Sequence, residues 1–183
     1  TDTLHWVERN MESPFPAWAI EKTEAISKLN IHFVTGKEFE RLRPDWDRAW
    51  WTLKMECDRD IPSTTPFDPL PFEDWRFTLD EPFCTRENTL IAIEGKQPIG
   101  LLHLGRVDRG VINVNYTGVA ASHRRKGLSL AMKVKCLELA RRLGAHTLAT
   151  QNHHHNPMLT LNQKLGFIER DAIIFYMKPI FQE

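Results

Sequence analysis

VINVNYTGVAASHRRKGLSLAM, residues 111–132, passes from an alternating apolar run through a basic, glycine-containing turn into a periodic helical pattern. Val111, Asn113 and Asn115 alternate with Ile112, Val114 and Tyr116, a period of two rich in β-branched residues that predicts a strand. Gly127 opens the helix, with Arg124, Arg125 and Lys126 immediately before it. Backbone N–H groups, the positive end of the helix dipole and a group of cations therefore converge, which is the chemistry of a diphosphate cradle. A solvated basic turn is the plainer alternative.

Downstream, residues 127–143 carry Leu130, Val134 and Leu137 on one stripe and Met132, Cys136, Ala140 and Leu143 on the next. So wide an apolar arc predicts packing on a sheet, with Lys135, Glu138 and Arg142 outside and Gly144 as terminator. A strand is expected over 146–151, a helix over 157–165 begun by Pro157 and ended by Gly166, and closing strands over 167–170 and 173–177. Upstream, 88–94 and 99–106 around Gly95-Lys96 form a hairpin signal. Asp108-Arg109-Gly110 then turns the chain into the strand at 111, giving three sequential antiparallel strands.

Before the hairpin, residues 61–71 hold Pro62, Pro66, Pro69 and Pro71 and predict a loop, followed by one or two helical turns over 72–79. Trp46, Ala49, Trp50, Leu53 and Cys57 lie on one stripe of a helix over 45–58 and read as core more readily than as a substrate site. A short strand over 31–34 precedes Thr35 and Glu38, the capping box of a helix over 37–43. Residues 1–30 are expected to be an N-terminal extension, either linker or added helix, and 31–183 the folded domain. The order βααβββαβαββ is α+β, a mixed and mostly antiparallel sheet flanked by helices.

The length of 183 residues suits a single core. Lys plus Arg and Asp plus Glu number 24 each, so there is no overall basic field of the kind used in nonspecific nucleic-acid binding. Basic character is local, at 123–126 and 133–142, and the aromatic interleaving needed for base stacking is missing there. Cys57, Cys84 and Cys136 are widely spaced, fitting buried thiols in a reducing compartment better than a disulfide framework. No run of about 18 apolar residues and no signal-peptide pattern is present, so no membrane partner and a cytoplasmic location are expected. The start at Thr1 suggests processing, an engineered start or a piece of a longer protein.

Arg124-Arg125-Lys126-Gly127-Leu128-Ser129 resembles the [Q/R]-x-x-G-x-[G/A] turn of the GCN5-related N-acetyltransferases (GNAT), with Ser129 in the last small position. Thr117-Gly118-Val119 before it, and Thr150-Gln151-Asn152, Asn156 and Asn162-Gln163-Lys164-Leu165-Gly166-Phe167 after it, extend the resemblance over about 88–180. The wording is most like one module of the tandem-module members, mycothiol synthase among them. The resemblance implies acetyl-CoA as co-substrate and no metal. Its diphosphate would lie at Arg124, Arg125, Lys126, Gly127, Leu128 and Ser129, and its pantetheine arm against backbone of Thr117, Gly118 and Val119, with Asn152 and Asn156 near it. Gly118 offers no side chain to obstruct that approach. The acceptor would be an amine of a small molecule or peptide. A homodimer or a tandem partner module is also implied.

The chemical groups depart from that pattern. Many relatives carry a glutamate base on the central strand where this chain has Asn113, and a tyrosine acid where it has Asn162. Tyr116 and His103 are weak substitutes, each more readily read as structural, and a thiolate leaving group can also be served by water. The usual CoA-contacting asparagine position holds His155. Asn156, just before Pro157, has the better N-cap chemistry. His153, His154 and His155 are consecutive and cannot all face one ion, which predicts a surface loop. The alternative function is a non-catalytic CoA-binding module of a tandem acetyltransferase.

Overall fold

In a computed structural model, residues 2–61, 66–81 and 85–175 are described. Strand β1 spans Asp2–Asn10, helix α1 Ala17–Ser27, β2 Ile31–Thr35, α2 Gly36–Leu42, α3 Trp46–Arg59 and α4 Phe72–Phe77. The remaining elements are β3 Thr89–Glu94, β4 Gln97–Leu104, β5 Val111–Val119, α5 Leu128–Arg142, β6 Thr147–His153, α6 Pro157–Lys164 and β7 Ile168–Phe175. The sheet has seven strands in the order β2-β3-β4-β5-β6-β1-β7. All neighbours are antiparallel except β5 and β6.

Local chemistry explains most boundaries. Thr35 and Glu38 close the expected capping box, with Thr35 N–H donating to Glu38 Oε2 at 2.7 Å and Glu38 N–H donating to Thr35 Oγ1 at 3.2 Å. Asn156 Oδ1 accepts from Met158 N–H at 2.9 Å and caps α6, whose first turn holds Pro157. At the turn into β5, Gly110 has φ +79°, a conformation that favours glycine, and a Cβ there would also push aside the His146 ring, whose Nε2 would lie 1.9 Å away.

Helices cover the β3–β5 half of the sheet on both faces. Helix α5 packs on β3, β4 and β5 with α1 outside it, while α3 packs on the other face of β4 and β5. Accordingly β4 is buried from Pro98 through Leu104, a continuous run rather than an alternation. On α3 the expected stripe faces inward: Trp50 is fully buried, edge-on to Trp75 at 6.0 Å and stacked on His103 at 5.9 Å. The other half, β6-β1-β7, is barer, and Ile168, Ile173 and Ile174 of β7 are exposed.

The termini depart from the sequence expectation. Residues 2–10, expected within a linker or added helix, form a strand hydrogen-bonded on both edges, to β6 and to β7; the helix part of that expectation is α1. Its side chains read Leu4, Trp6 and Glu8 against His5, Val7 and Arg9, mixing polar and apolar on both faces, so a period of two carries little signal there. The two closing strands are one, β7, with a register irregularity opposite Trp6 and Val7 that sequence patterning reads as a break. Residues 176 and 177 of that expectation, Pro62 of the proline-rich loop, and Cys84 lie outside the described residues; Cys57 and Cys136 are buried and free. Among the described residues, no helix is long and apolar enough to cross a membrane.

Candidate functional site

The parallel pair β5 and β6 is hydrogen-bonded only where Val111, Ile112, Asn113 and Val114 face Thr147, Leu148, Ala149 and Thr150. Beyond Val114 and Thr150 both strands continue unpaired to each other, so they part. On its other edge β5 stays paired with β4 as far as Val119, through a bulge: Leu104 faces Val114 and His103 faces Tyr116, leaving Asn115 extra. A bulge bends its strand, and this one falls where β5 leaves β6. One backbone edge of residues 115–119 thereby opens on a cleft of about 500 Å³. Thr117, Gly118, Val119 and Arg124 form one wall, Thr150, Gln151, Asn152, Asn156 and Met158 the other, and Lys133 of α5 also lines it.

The cleft leads to the basic turn. Arg125 has φ +61° and Gly127 φ +87°, two left-handed residues that fold the backbone back before α5. For an arginine this conformation costs about 1 kcal/mol, a strain typical of ligand-holding turns. No side chain caps α5, so its first N–H groups remain available to an anion, and nothing lies within 4 Å of the point where a Gly127 Cβ would stand. Arg125 and Lys126 are exposed, whereas Leu128 is buried. Ser129 is half-buried in the first turn. Arg124 is already engaged: Nε donates to Val119 O at 2.9 Å and Nη1 pairs with Asp60 at 2.6 Å, a hydrogen bond that raises the guanidinium pKa.

Gly118 is held to glycine by packing as well. A Cβ there would meet Cys57 Cβ, Cys57 Sγ and Tyr116 Cε1, all at 2.9 Å. Close packing of α3 on β5 therefore demands glycine. Tyr116 lines the cleft, but its hydroxyl donates to Asp58 Oδ1 at 2.9 Å, and Asp58 is also paired with Lys54. Burial, reinforced by Cys57 and Asp58, pushes the Tyr116 pKa strongly upward, and burial pushes the Cys57 thiol up to about 11. His103 lies in the core rather than on the cleft, with Nδ1 at 2.9 Å from the Thr89 hydroxyl, and burial lowers its pKa to about 3.

Asn113 faces a second cavity of about 420 Å³ lined by Leu4, Trp6, Asn115, Gln151 and His153. The two cavities share Val114, Asn115, Thr150 and Gln151, the residues flanking the strand split. The Asn113 Oδ1 is buried without a hydrogen bond. Asn162 is fully buried and does not line the main cleft; its Nδ2 donates to Asn152 Oδ1 at 2.7 Å, and its own Oδ1 is unpaired. His153, His154 and His155 are exposed, and among the described residues no three His, Cys, Asp or Glu side chains gather as metal ligands.

Lys133, Asp58 and Asp60 were missed in the sequence. Lys133 carried a signal: it falls between Leu130 and Leu137 at helical spacing, inside the buried stripe, and it is 2% exposed. Asp58 and Asp60 end a helix far from the turn in sequence, and nothing local announces that they meet Tyr116 and Arg124.

Residues 45–167 match the family model described as the acetyltransferase (GNAT) family. No curated protein sequence matches the chain. Among solved structures, a GCN5-related N-acetyltransferase from Sphaerobacter thermophilus is similar with a TM-score of 0.65 at 17% identity, over 93% of this chain and 49% of that one. A tandem GNAT protein from the clavulanic acid biosynthesis pathway gives 0.57 at 16%, over 93% and 51%. An aminoglycoside acetyltransferase from an uncultured soil metagenomic sample, in complex with sisomicin, gives 0.58 at 12%, over 85% and 99%. This chain spans about half the length of the first two proteins.

Proposed function

The chain belongs to the acetyltransferase (GNAT) family, and from that premise we propose that it moves an acetyl group from acetyl-CoA to an amine of a small molecule or peptide. The observation that carries this reading is the parting of β5 from β6, which opens backbone of residues 115–119 on a cleft leading to an uncapped helix N-terminus. The turn from Arg124 to Ser129 would hold the diphosphate through backbone N–H groups and the charges of Arg125 and Lys126. Strand backbone at Thr117, Gly118 and Val119 would pair with the pantetheine amides, and Asn152 and Asn156 stand on the facing wall. A strand N–H aimed at the thioester carbonyl would stabilise the oxyanion by roughly 3 kcal/mol.

The second cavity, joined to the first at the split, is the place for the acceptor. Its Trp6, Asn113, Asn115 and Gln151 offer an aromatic face and polar amides, with His153 and no carboxylate among its described lining residues. The acceptor would reach the carbonyl carbon as a free amine and release its proton to water, directly or past His153. Such a site favours amines of low basicity, an α-amine of pKa about 7.7 over an alkyl ammonium near 10.4. The half-length match to a tandem protein supports reading the chain as one module, which a second module or a second copy would accompany.

Acetyl-CoA turnover with a panel of amines tests the proposal. Thiol release that depends on the acceptor supports it; CoA binding with no turnover on any acceptor would point to a module that binds without chemistry.

A further inference from the structure

Lys133 stands in the second turn of α5 and is 2% exposed, although it belongs to a segment read as locally basic surface. Its side chain lines the cleft beside Val114, Thr150, Asn152 and Met158, with Nζ 5.5 Å from the Phe167 ring centre. It makes no hydrogen bond or ion pair with any described residue. The neighbouring polar side chains make their hydrogen bonds to other groups than its Nζ. Asn152 Oδ1 accepts from Asn162, Asn156 Oδ1 caps Met158, and Thr150 donates its hydroxyl to Val114 O. An amine taken out of water without a partner is unfavourable unless what enters the cleft supplies one. The cleft thus holds a cation on its wall that no carboxylate among the described residues pairs, open to a ligand that enters.

We propose that Lys133 is the proton donor of the transfer reaction, protonating the CoA thiolate as it leaves. This rests on reading the cleft as the CoA site. The amine nitrogen of the acceptor forms a bond to the carbonyl carbon, and the tetrahedral intermediate collapses by breaking the carbon–sulfur bond, whose electron pair goes to sulfur. A proton passes from Lys133 Nζ to that sulfur, leaving a neutral amine that regains a proton from water. The acceptor's own proton leaves to water in the second cavity. Atoms and charge balance without any further reagent.

Burial lowers the Lys133 pKa to about 8, slightly opposed by Cys136, so it is still charged at neutral pH and matched in acidity to an alkyl thiol near about 8.5. The thiols and the phenol around it are pushed above that range. Cys136, whose Sγ donates to Lys133 O at 3.1 Å, is pushed up to about 12; Cys57 and Tyr116 across the cleft are raised, and Asp60 is paired with Arg124.

The test is a titration of bound CoA, followed by thiolate absorbance between about pH 6 and 10, with desulfo-CoA as the reference that subtracts Cys57, Cys84 and Cys136. In the native protein the bound thiol should ionise at least about one unit lower than in Lys133→Met, a tenfold effect on its acidity. With a productive acceptor, kcat of the native protein should fall above about pH 8, and Lys133→Met should lose tenfold or more together with that limb. Lys133→Arg, permanently charged, should keep the lowered thiol pKa and still lack the proton transfer. Equal thiol pKa values in native protein and Lys133→Met would overturn the assignment while leaving CoA binding intact. Absence of any CoA-induced thermal shift in the native protein would overturn the cleft reading and this inference together. Should Lys133→Met not fold, the native kcat profile decides: a limb near pH 8 supports the donor, and a profile flat to pH 10 sinks it.

Discussion

The end of the cleft proposed to hold phosphate is made of consecutive residues and backbone, whereas its inner end is assembled from side chains on α5, β5, β6 and α6. At the phosphate end, 124–129 supply left-handed turns, an uncapped helix start and cations within one short segment. At the inner end, Asn113, Lys133, Asn152 and Asn162 are brought near the split by strand pairing and helix packing alone. Backbone-built sites tolerate side-chain change and depend on conformation; side-chain-built sites invert that rule. Single substitutions should separate the two.

The largest effect should come from Gly127→Glu, which should abolish measurable CoA binding by titration calorimetry. The new residue must adopt φ +87°, and its carboxylate would point into space now open and meant for a diphosphate. Gly127→Asn, whose side chain accepts left-handed backbone, should retain much of the affinity. Loss in both variants alike would mean that backbone conformation is not what holds the phosphates.

The contrast also explains what the sequence made legible. Strands β3 to β5, helix α5 and the turn between β5 and α5 follow from short-range signals: the period-two run at 111–116, Gly95 and Gly110 at turns, and the apolar arc of 128–142. Strand β1 was hidden because its inward and outward residues do not alternate in polarity, and because its partners lie about 140 or more positions away, as Val7 with Thr150 shows. The meaning of Gly118 was hidden for the same reason: its constraint is Cys57, on a helix that no local pattern places against it. His103 was a candidate acid or base by residue type alone, and burial against Trp50 removes it from the cleft.

A His103→Gln variant should sharpen that boundary, with the effect on stability rather than on CoA affinity. The folded-state pKa lies below the ordinary 6.5, so between about 3 and 6.5 the unfolded chain binds a proton that the native protein does not. Stability is thus fully present above pH 6.5 and is lost as pH falls toward 3. Urea unfolding at pH 7 and pH 4 should show the native protein losing a few kcal/mol more than the variant. An equal loss in both would mean that His103 is not a neutral core residue.

Arg124 bridges the two ends, and its replacement should have an intermediate effect. Arg124→Ala removes one charged contact to the phosphates and also the hydrogen bond to Val119 O that ties the turn to β5. A charged hydrogen bond contributes about 1.5–3 kcal/mol, but the pair with Asp60 already competes for this guanidinium and is partly exposed. The CoA dissociation constant should therefore rise about tenfold, the lower end of that range. Asp60→Asn should weaken the competition and lower it slightly. A rise in both variants would show that the ion pair itself orders the site.

The smallest effect should be at Asn162. Its Nδ2 holds Asn152 Oδ1 at 2.7 Å, and Asn152 is the member of the pair that lines the cleft, so Asn162 acts through a neighbour. Asn162→Ala leaves that carbonyl oxygen without its donor and opens a small cavity, which should cost about 1–3 kcal/mol of stability. It should lower kcat only severalfold, because Asn152 can still find water at the cleft wall. Asn162→Tyr is more informative. The position is fully buried, so the ring either strains the core by about 1–3 kcal/mol or turns into the cleft, where its hydroxyl could reach the sulfur. In the second case the variant should restore turnover to a protein that also carries Lys133→Met, since two routes would then lead a proton to the same atom. Turnover of the double variant no better than that of Lys133→Met alone, in a protein shown to be folded, would place Asn162 outside the path of the thiol. The inner end of the cleft would then rest on Lys133 by itself.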